Sequence, residues 1–151
     1  EELAERATAA LERAAGVRPA GFRAPGGARS SSTEAILARL DYAYDASLGE
    51  GMRPRLLPSG LAQVPFVWPC VDGLHYLRDR PVRPAEVCAG WLRALERTAE
   101  RGGLFLTICH AFLTGVDAER LAALERVIAA AVADSRLTIM TTGEVARELR
   151  A

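Results

Sequence analysis

Two side chains stand where they could carry out chemistry, each at the end of a predicted strand. His110 closes the nearly continuous apolar run 104–109, and Arg23 precedes a turn that contains a proline and two glycines. Because an imidazole changes protonation near neutral pH, His110 could act as a general acid or base. The guanidinium of Arg23 could hold a carboxylate through two parallel hydrogen bonds. The plainer alternatives are a core histidine bonded to the backbone and a surface arginine in a tight turn.

Asp72 is a third candidate, in the loop that follows the predicted strand ending at Trp68. Its carboxylate could orient a catalytic group or line a substrate cleft, and the alternative is a solvated loop aspartate. His75 lies close by in sequence and could be a second metal-binding histidine, although little supports that role. A catalytic zinc takes three protein ligands, and two histidines 35 positions apart provide no paired spacing. The residues alone therefore predict no metal motif in this chain.

The pattern of apolar residues predicts strands that alternate with helices. We expect strands near 17–23, 42–44, 61–68, 104–110 and 137–140, and helices over 3–14, 31–40, 84–101, 121–132 and 141–149. Such alternation is typical of βα units with a mostly parallel sheet. The run 104–110 suits a strand buried on both faces. Functional groups of βα folds gather at the carboxyl ends of strands, so Arg23 and His110 are expected to face one cleft.

Short polar motifs mark where two of these helices begin. Ser31 and Glu34 have the spacing of a capping box, and so do Thr141 and Glu144. Gly49 to Gly60 is rich in Gly and Pro and is predicted to be loop. No domain boundary is evident, which predicts one domain over residues 1–151.

Composition excludes several classes of function. The formal net charge is zero and no basic stripe exists, so a nucleic-acid grip is not expected. No apolar run approaches the ~20 residues that span a bilayer. The three cysteines, Cys70, Cys88 and Cys109, fit neither a zinc ribbon nor a disulfide framework, so buried reduced thiols are expected. The chain starts with Glu1 inside a helical pattern, which predicts a fragment or a processed chain.

Several segments, taken in order, resemble one known family. Gly21-Phe22-Arg23-Ala24-Pro25-Gly26-Gly27 resembles the Arg-x-Pro turn that forms the third motif of polysaccharide deacetylases. The segments that continue the resemblance are 33–48, 64–68, 104–121 and 141–149. Together they cover nearly the whole chain in the family's order. The chain therefore resembles the C-terminal half of a polysaccharide-deacetylase catalytic domain (NodB homology, carbohydrate esterase family 4).

This resemblance implies a distorted (β/α) barrel of which only the C-terminal part is present. It implies a metal-dependent hydrolase of carbon–nitrogen bonds other than peptide bonds, acting by N-deacetylation of an N-acetylated carbohydrate. A divalent metal, with zinc expected, would activate the attacking water. The Asp-Asp and His-x-x-x-His motifs that supply the base and the metal ligands should precede Glu1, so the fragment alone is expected to be inactive. The expected partner is a carbohydrate or a small amide substrate.

The resemblance also assigns roles by position. His110 would protonate the leaving amine, and Arg23 would hold the catalytic aspartate of the absent half. Ile108 would form part of the acyl-group pocket, while Asp72 and Trp68 would lie in the substrate-binding region.

One residue departs from the family pattern. Ala111 stands where an allantoinase-like subgroup commonly has Pro and other members have Asp. Two alternatives stay open: an allantoinase-like hydrolase of small amides, and a non-catalytic binding or structural relative on the same fold.

Overall fold

The computed structural model describes all 151 residues, which form two compact units. The first unit comprises Glu1–Pro65 together with Met140–Ala151, and the second comprises Phe66–Ile139. The sequence shows no linker at either boundary, and the expectation of one partial domain over the chain stays a prediction. No helix combines the length and the apolar character that crossing a membrane requires.

The first unit is built on a small mixed sheet. Its elements are α1 (Glu2–Ala15), β1 (Gly21–Phe22), α2 (Thr33–Arg39), β2 (Tyr44–Asp45), β3 (Arg55–Leu56) and β4 (Ala62–Gln63). The strand order is β1-β2-β4-β3, in which the first two pairs are parallel and β3 pairs antiparallel with β4. The predicted parallel-dominated α/β class is therefore confirmed. The strands are shorter than expected, and β3 falls within the predicted loop 49–60.

Close packing in this unit depends on a glycine and on an apolar cluster. Gly21 lies opposite Tyr44 in the β1–β2 register, and a Cβ at Gly21 would overlap the Tyr44 ring. Leu37, Tyr42 and Leu61 form the buried core. Burial of such side chains is the main stabilising contribution to a core of this kind.

The second unit packs two long helices together. Its helices are α3 (Asp72–Tyr76), α4 (Pro84–Arg101) and α5 (Ala118–Ala133). Pro84 is the first residue of α4, and Gly102, at φ 68°, follows its last turn, as the sequence predicted. The apolar faces of α4 and α5 enclose the buried cluster Tyr76, Val87, Cys88, Trp91, Leu113, Ala123 and Val127. All three cysteines are free thiols, and Cys70 and Cys88 are buried.

The chain returns to the first unit in the last helix, α6 (Thr142–Glu148). The predicted capping box is present in both halves: the Glu144 amide donates to Thr141 Oγ1 at 3.2 Å, and the Thr141 amide donates to Glu144 Oε2 at 2.7 Å. The expected box at Ser31 is wrong. Ser32 precedes α2 without a side-chain cap, and the Glu34 carboxylate accepts from the Ser59 hydroxyl instead.

The expected strands over 104–110 and 137–140 are also wrong. Residues 104–110 are all half-buried, and their only strand pairing is a parallel bridge between Ile108 and Val71. A strand buried on both faces needs neighbours along its length, and within the second unit this segment pairs at one position. Residues 137–140 form no ladder, and the Leu137 amide closes a turn onto the Asp134 carbonyl instead.

Candidate active site

The bridge between Ile108 and Val71 brings two chemically active residues together. The Asp72 amide donates to the Ile108 carbonyl at 3.0 Å, and the Ile108 amide donates to the Cys70 carbonyl at 2.9 Å. Asp72 is the first residue of α3, and His110 is the last residue of the opposite segment. This short parallel pairing therefore places the Asp72 carboxylate beside His110, 38 residues further along the chain.

Three donors converge on the Asp72 carboxylate. Its Oδ1 lies 2.5 Å from His110 Nδ1, while Oδ2 accepts from the His110 amide and from the Thr114 hydroxyl, both at 2.7 Å. The Asp72 residue has no solvent exposure, whereas the His110 side chain is 39% exposed. Because an ionised carboxylate only accepts hydrogen bonds, Nδ1 of His110 is the donor, and Nε2 is the ring nitrogen left for chemistry.

The surroundings of Asp72 keep its carboxyl group ionised. Burial acts to raise the pKa of Asp72, but the hydrogen bonds from Thr114 and from the amide and ring of His110 outweigh it, so the pKa lies below its ordinary value. Burial raises the pKa of Tyr76 and of Cys109, and the negative charge of Asp72 is among the smaller causes of both increases. Of the three side chains Asp72, Tyr76 and Cys109, Asp72 alone is therefore negatively charged at neutral pH. A buried carboxylate that orients a half-exposed histidine is an arrangement suited to general acid–base chemistry.

The other residues expected near His110 have different surroundings. Ile108 is half-buried and held by the backbone bridge two residues before His110. Trp68 is 42% exposed and packs edge-on against Phe66, with 5.8 Å between ring centroids. The centroid of the Phe112 ring lies 5.2 Å from the centroid of the His110 ring, and Phe112 is 67% exposed. Phe112 therefore adds an apolar surface directly beside the imidazole.

His75 has a structural partner. Its Nε2 lies 2.8 Å from the Pro69 carbonyl, which also accepts from Trp91 Nε1 at 3.0 Å. No three His, Cys, Asp or Glu side chains of the chain come close enough to share a metal ion. The side chains of this chain therefore do not fit a complete catalytic metal site.

Arg23 lies in the first unit, at the end of β1. Its Nε donates to the Ala46 carbonyl at 2.8 Å, and the adjacent Ala24 amide donates to Ser47 Oγ at 2.9 Å. The buried Asp45 in turn accepts from the Ser47 amide at 3.0 Å. The Arg-x-Pro turn is thereby fastened to the end of β2. Arg23 and His110 belong to different units, and their shared cleft stays a prediction.

Sequence reasoning missed Thr114, which contacts Asp72, and it gave Asp72 no partner. The sequence signal for Thr114 is weak: a threonine four residues after His110, followed by Gly115. The Asp72 carboxylate faces His110 and Thr114 and has no exposed surface, and its predicted substrate contact stays a prediction.

Solved structures of other proteins match nearly the whole chain. No protein-family profile matches the chain, and no curated protein matches its sequence. A Mycobacterium smegmatis structure assigned as a polysaccharide deacetylase is 29% identical, with a TM-score of 0.88, and the match covers 97% of this chain and 54% of that one. The PuuE allantoinase is 19% identical, with a TM-score of 0.83 and coverages of 97% and 51%. A Pseudomonas aeruginosa structure assigned as a polysaccharide deacetylase is 20% identical, with a TM-score of 0.81 and coverages of 94% and 50%.

The chain thus spans about half the length of each of these proteins. Its fold is the α/β fold of the polysaccharide-deacetylase (β/α) barrel type, as the family resemblance implied.

Proposed function

We propose that this chain is the C-terminal half of a polysaccharide-deacetylase catalytic domain and takes part in hydrolysis of a carbon–nitrogen bond, by N-deacetylation of an N-acetylated carbohydrate. The observation that carries the proposal is the Asp72–His110 pair, in which a buried carboxylate orients a half-exposed imidazole. Two structural matches assigned as polysaccharide deacetylases and a third that is an allantoinase support the reaction class.

In this proposal His110 is the general acid. The doubly protonated ring donates its Nε2 proton to the leaving amine, while Nδ1–H remains bonded to Asp72 Oδ1. Asp72 fixes the ring and balances its positive charge, which is the orienting role that the sequence allowed for it. Asp72 is buried and lies within hydrogen-bond distance of Nδ1, so its charge acts on the ring at short range.

The remaining candidates would shape the site around the substrate. Ile108 would line the acyl-group pocket, and Trp68 would offer an exposed aromatic face to a sugar ring. Arg23 would bind the catalytic aspartate of an upstream segment, with its own Nε fixed on the Ala46 carbonyl. The divalent metal, with zinc expected, would be held by ligands of that upstream segment, since this chain brings no three such side chains together.

A second candidate function is hydrolysis of a small cyclic amide. It is favoured by the likeness to the PuuE allantoinase, which matches 97% of this chain. The two candidate reactions differ in the size of the substrate. The role of His110 is the same in both, because each reaction needs a proton on the leaving nitrogen.

One set of assays on the whole protein that contains these residues decides between the candidates. Purified protein loaded with zinc is given N-acetylglucosamine tetramer or allantoin, and acetate release or allantoin ring opening is followed. The proposal expects acetate from the tetramer and no ring opening. Turnover of allantoin alone would favour the small-amide candidate. No turnover of either substrate, or an upstream sequence without Asp-Asp and His-x-x-x-His motifs, would favour a non-catalytic relative.

A further inference from the structure

Thr114 makes a buried contact that the proposed chemistry does not yet use. Its hydroxyl donates to Asp72 Oδ2 at 2.7 Å, and the residue is only 2% exposed. The other two donors to this carboxylate, an amide and a ring nitrogen, both belong to His110. Thr114 is therefore the one donor to the Asp72 carboxylate that His110 does not supply.

The turn after His110 holds Thr114 in place. The Thr114 amide donates to the His110 carbonyl at 2.8 Å, and the Leu113 amide does so at 3.0 Å. Gly115 follows because a Cβ there would lie 2.6 Å from the Ala111 carbonyl oxygen. On the other side, Arg120 Nη1 donates to the Leu113 carbonyl at 3.1 Å. The Thr114 hydroxyl is thus presented to Asp72 by a fixed backbone.

The guanidinium of Arg120 is itself held against a buried ring. It lies 4.5 Å from the centroid of the Tyr76 ring, which belongs to α3, the helix that Asp72 begins. The turn that carries Thr114 and the helix that carries Asp72 are therefore connected at a second point. This second connection limits how far the Thr114 hydroxyl and the carboxylate can separate.

We propose that Thr114 is a positioning residue for His110, acting through the orientation of the Asp72 carboxylate. The inference rests on the proposed function, since it assigns a role in preparing the general acid. A carboxylate turns readily about its last torsion. With Oδ2 fixed by Thr114 and by the His110 amide, Oδ1 stays aimed at Nδ1. Without the hydroxyl, the His110 amide is the one donor left on Oδ2, so the carboxylate gains freedom to turn and the ring loses its single orientation.

A merely structural Thr114 would stabilise the fold without affecting the ring, so the test reads the ring directly. The chain contains two histidines, and nitrogen-15 labelling therefore gives two imidazole spectra in the 151-residue chain. His75, bonded to the Pro69 carbonyl, serves as the internal reference. Thr114→Val removes the hydroxyl and keeps the shape, whereas Thr114→Ser restores the hydroxyl. Thr98→Val is the matched control, because its hydroxyl bonds the Ala94 carbonyl within α4.

The wild-type His110 ring is expected to show one neutral form, protonated at Nδ1. Thr114→Val should give a mixture of both neutral forms, and Thr114→Ser and Thr98→Val should give the wild-type spectrum with His75 unchanged. A wild-type His110 spectrum in Thr114→Val would overturn the inference. If that variant does not fold, Thr114→Ala carries the same expectation without adding a methyl group against the carboxylate.

Turnover separates this inference from the proposed function. In the active whole protein, Thr114→Val should lower kcat by about 10–100-fold, by analogy with the loss of an outer partner that orients a metal-bound histidine. KM should stay within about twofold, and Thr114→Ser should recover most of kcat. An altered ring spectrum with unchanged kcat would overturn the positioning role. Absence of turnover in the wild type, with the ring spectra as expected, would instead refute the proposed function and leave the Thr114 contact standing.

Discussion

Replacing Asp72 by asparagine tests the buried half of the pair with almost no change in shape. Two donors converge on Oδ2 and one on Oδ1, so the amide oxygen of Asn should take the Oδ2 position. The amide nitrogen then faces His110 Nδ1 and donates to it. Nδ1 must become an acceptor, which moves the neutral ring's proton to Nε2. The doubly protonated ring that acts as the acid would bring two donors face to face.

The size of the effect follows from the contacts that change. Three hydrogen bonds to a fully buried group lose their charge assistance, and the bond to the ring reverses its donor, which should cost about 1.5–3 kcal/mol of unfolding free energy. Loss of the oriented acid should lower kcat by about 10²–10⁴-fold. The decrease in kcat should therefore be larger than the decrease in the fraction of folded protein.

The assay measures kcat for acetate release per folded molecule, with the folded fraction taken from urea unfolding. The control is Asp79→Asn, which removes an equal charge from an exposed position in the same unit. It should leave kcat within about twofold, because exposed charges act weakly at a distance. Wild-type kcat in Asp72→Asn would refute the reasoning that the carboxylate selects the proton position on His110.

Three further outcomes are expected. The folded pKa of Asp72 lies below its unfolded value of about 3.9, so its contribution to stability is full above that pH and is lost as the pH falls through the folded pKa. The difference in unfolding free energy between wild type and Asp72→Asn should therefore narrow in acid, which urea titrations at several pH values would show. Gly21→Ala should lower the unfolding free energy by about 1–3 kcal/mol by overlap with the Tyr44 ring, whereas Gly51→Ala, into open space, should change it little; equal effects in thermal unfolding would contradict the packing account. The 151-residue chain should bind zinc weakly or not at all in calorimetry, and stoichiometric sub-micromolar binding would reveal a site that the geometry does not suggest.

Local signals in the sequence predicted the features that depend on neighbouring residues. Pro84 and Gly102 gave the ends of α4, and Thr141 with Glu144 gave the cap of α6. The same reasoning failed at Ser31, because the Glu34 carboxylate needed for its box is taken by Ser59, 25 residues away. Spacing alone cannot show such a competing long-range partner.

For the candidate site, too, the sequence predicted individual residues but not the long-range contact between them. His110 and Asp72 could be selected as side chains that follow apolar segments, but their contact could not, because the Val71–Ile108 bridge that creates it joins distant segments. The run 104–110 was expected to be a buried strand because its side chains are apolar. The structure leaves it half-buried, since pairing depends on neighbours and not on composition.

The most direct test of the account is His110→Ala in the whole protein, with turnover, bound metal and thermal stability measured on one preparation. Stability should fall by about 1–3 kcal/mol, because the buried Oδ1 of Asp72 loses its donor. His75→Gln, which can keep the bond to the Pro69 carbonyl, is the matched control.

Turnover per folded His110→Ala molecule should fall by about 10²–10⁴-fold, with bound metal near the wild-type level. A substrate whose leaving group needs no proton should recover much of the loss. Wild-type turnover per folded molecule would contradict the central claim and leave His110 as a histidine that only stabilises the fold.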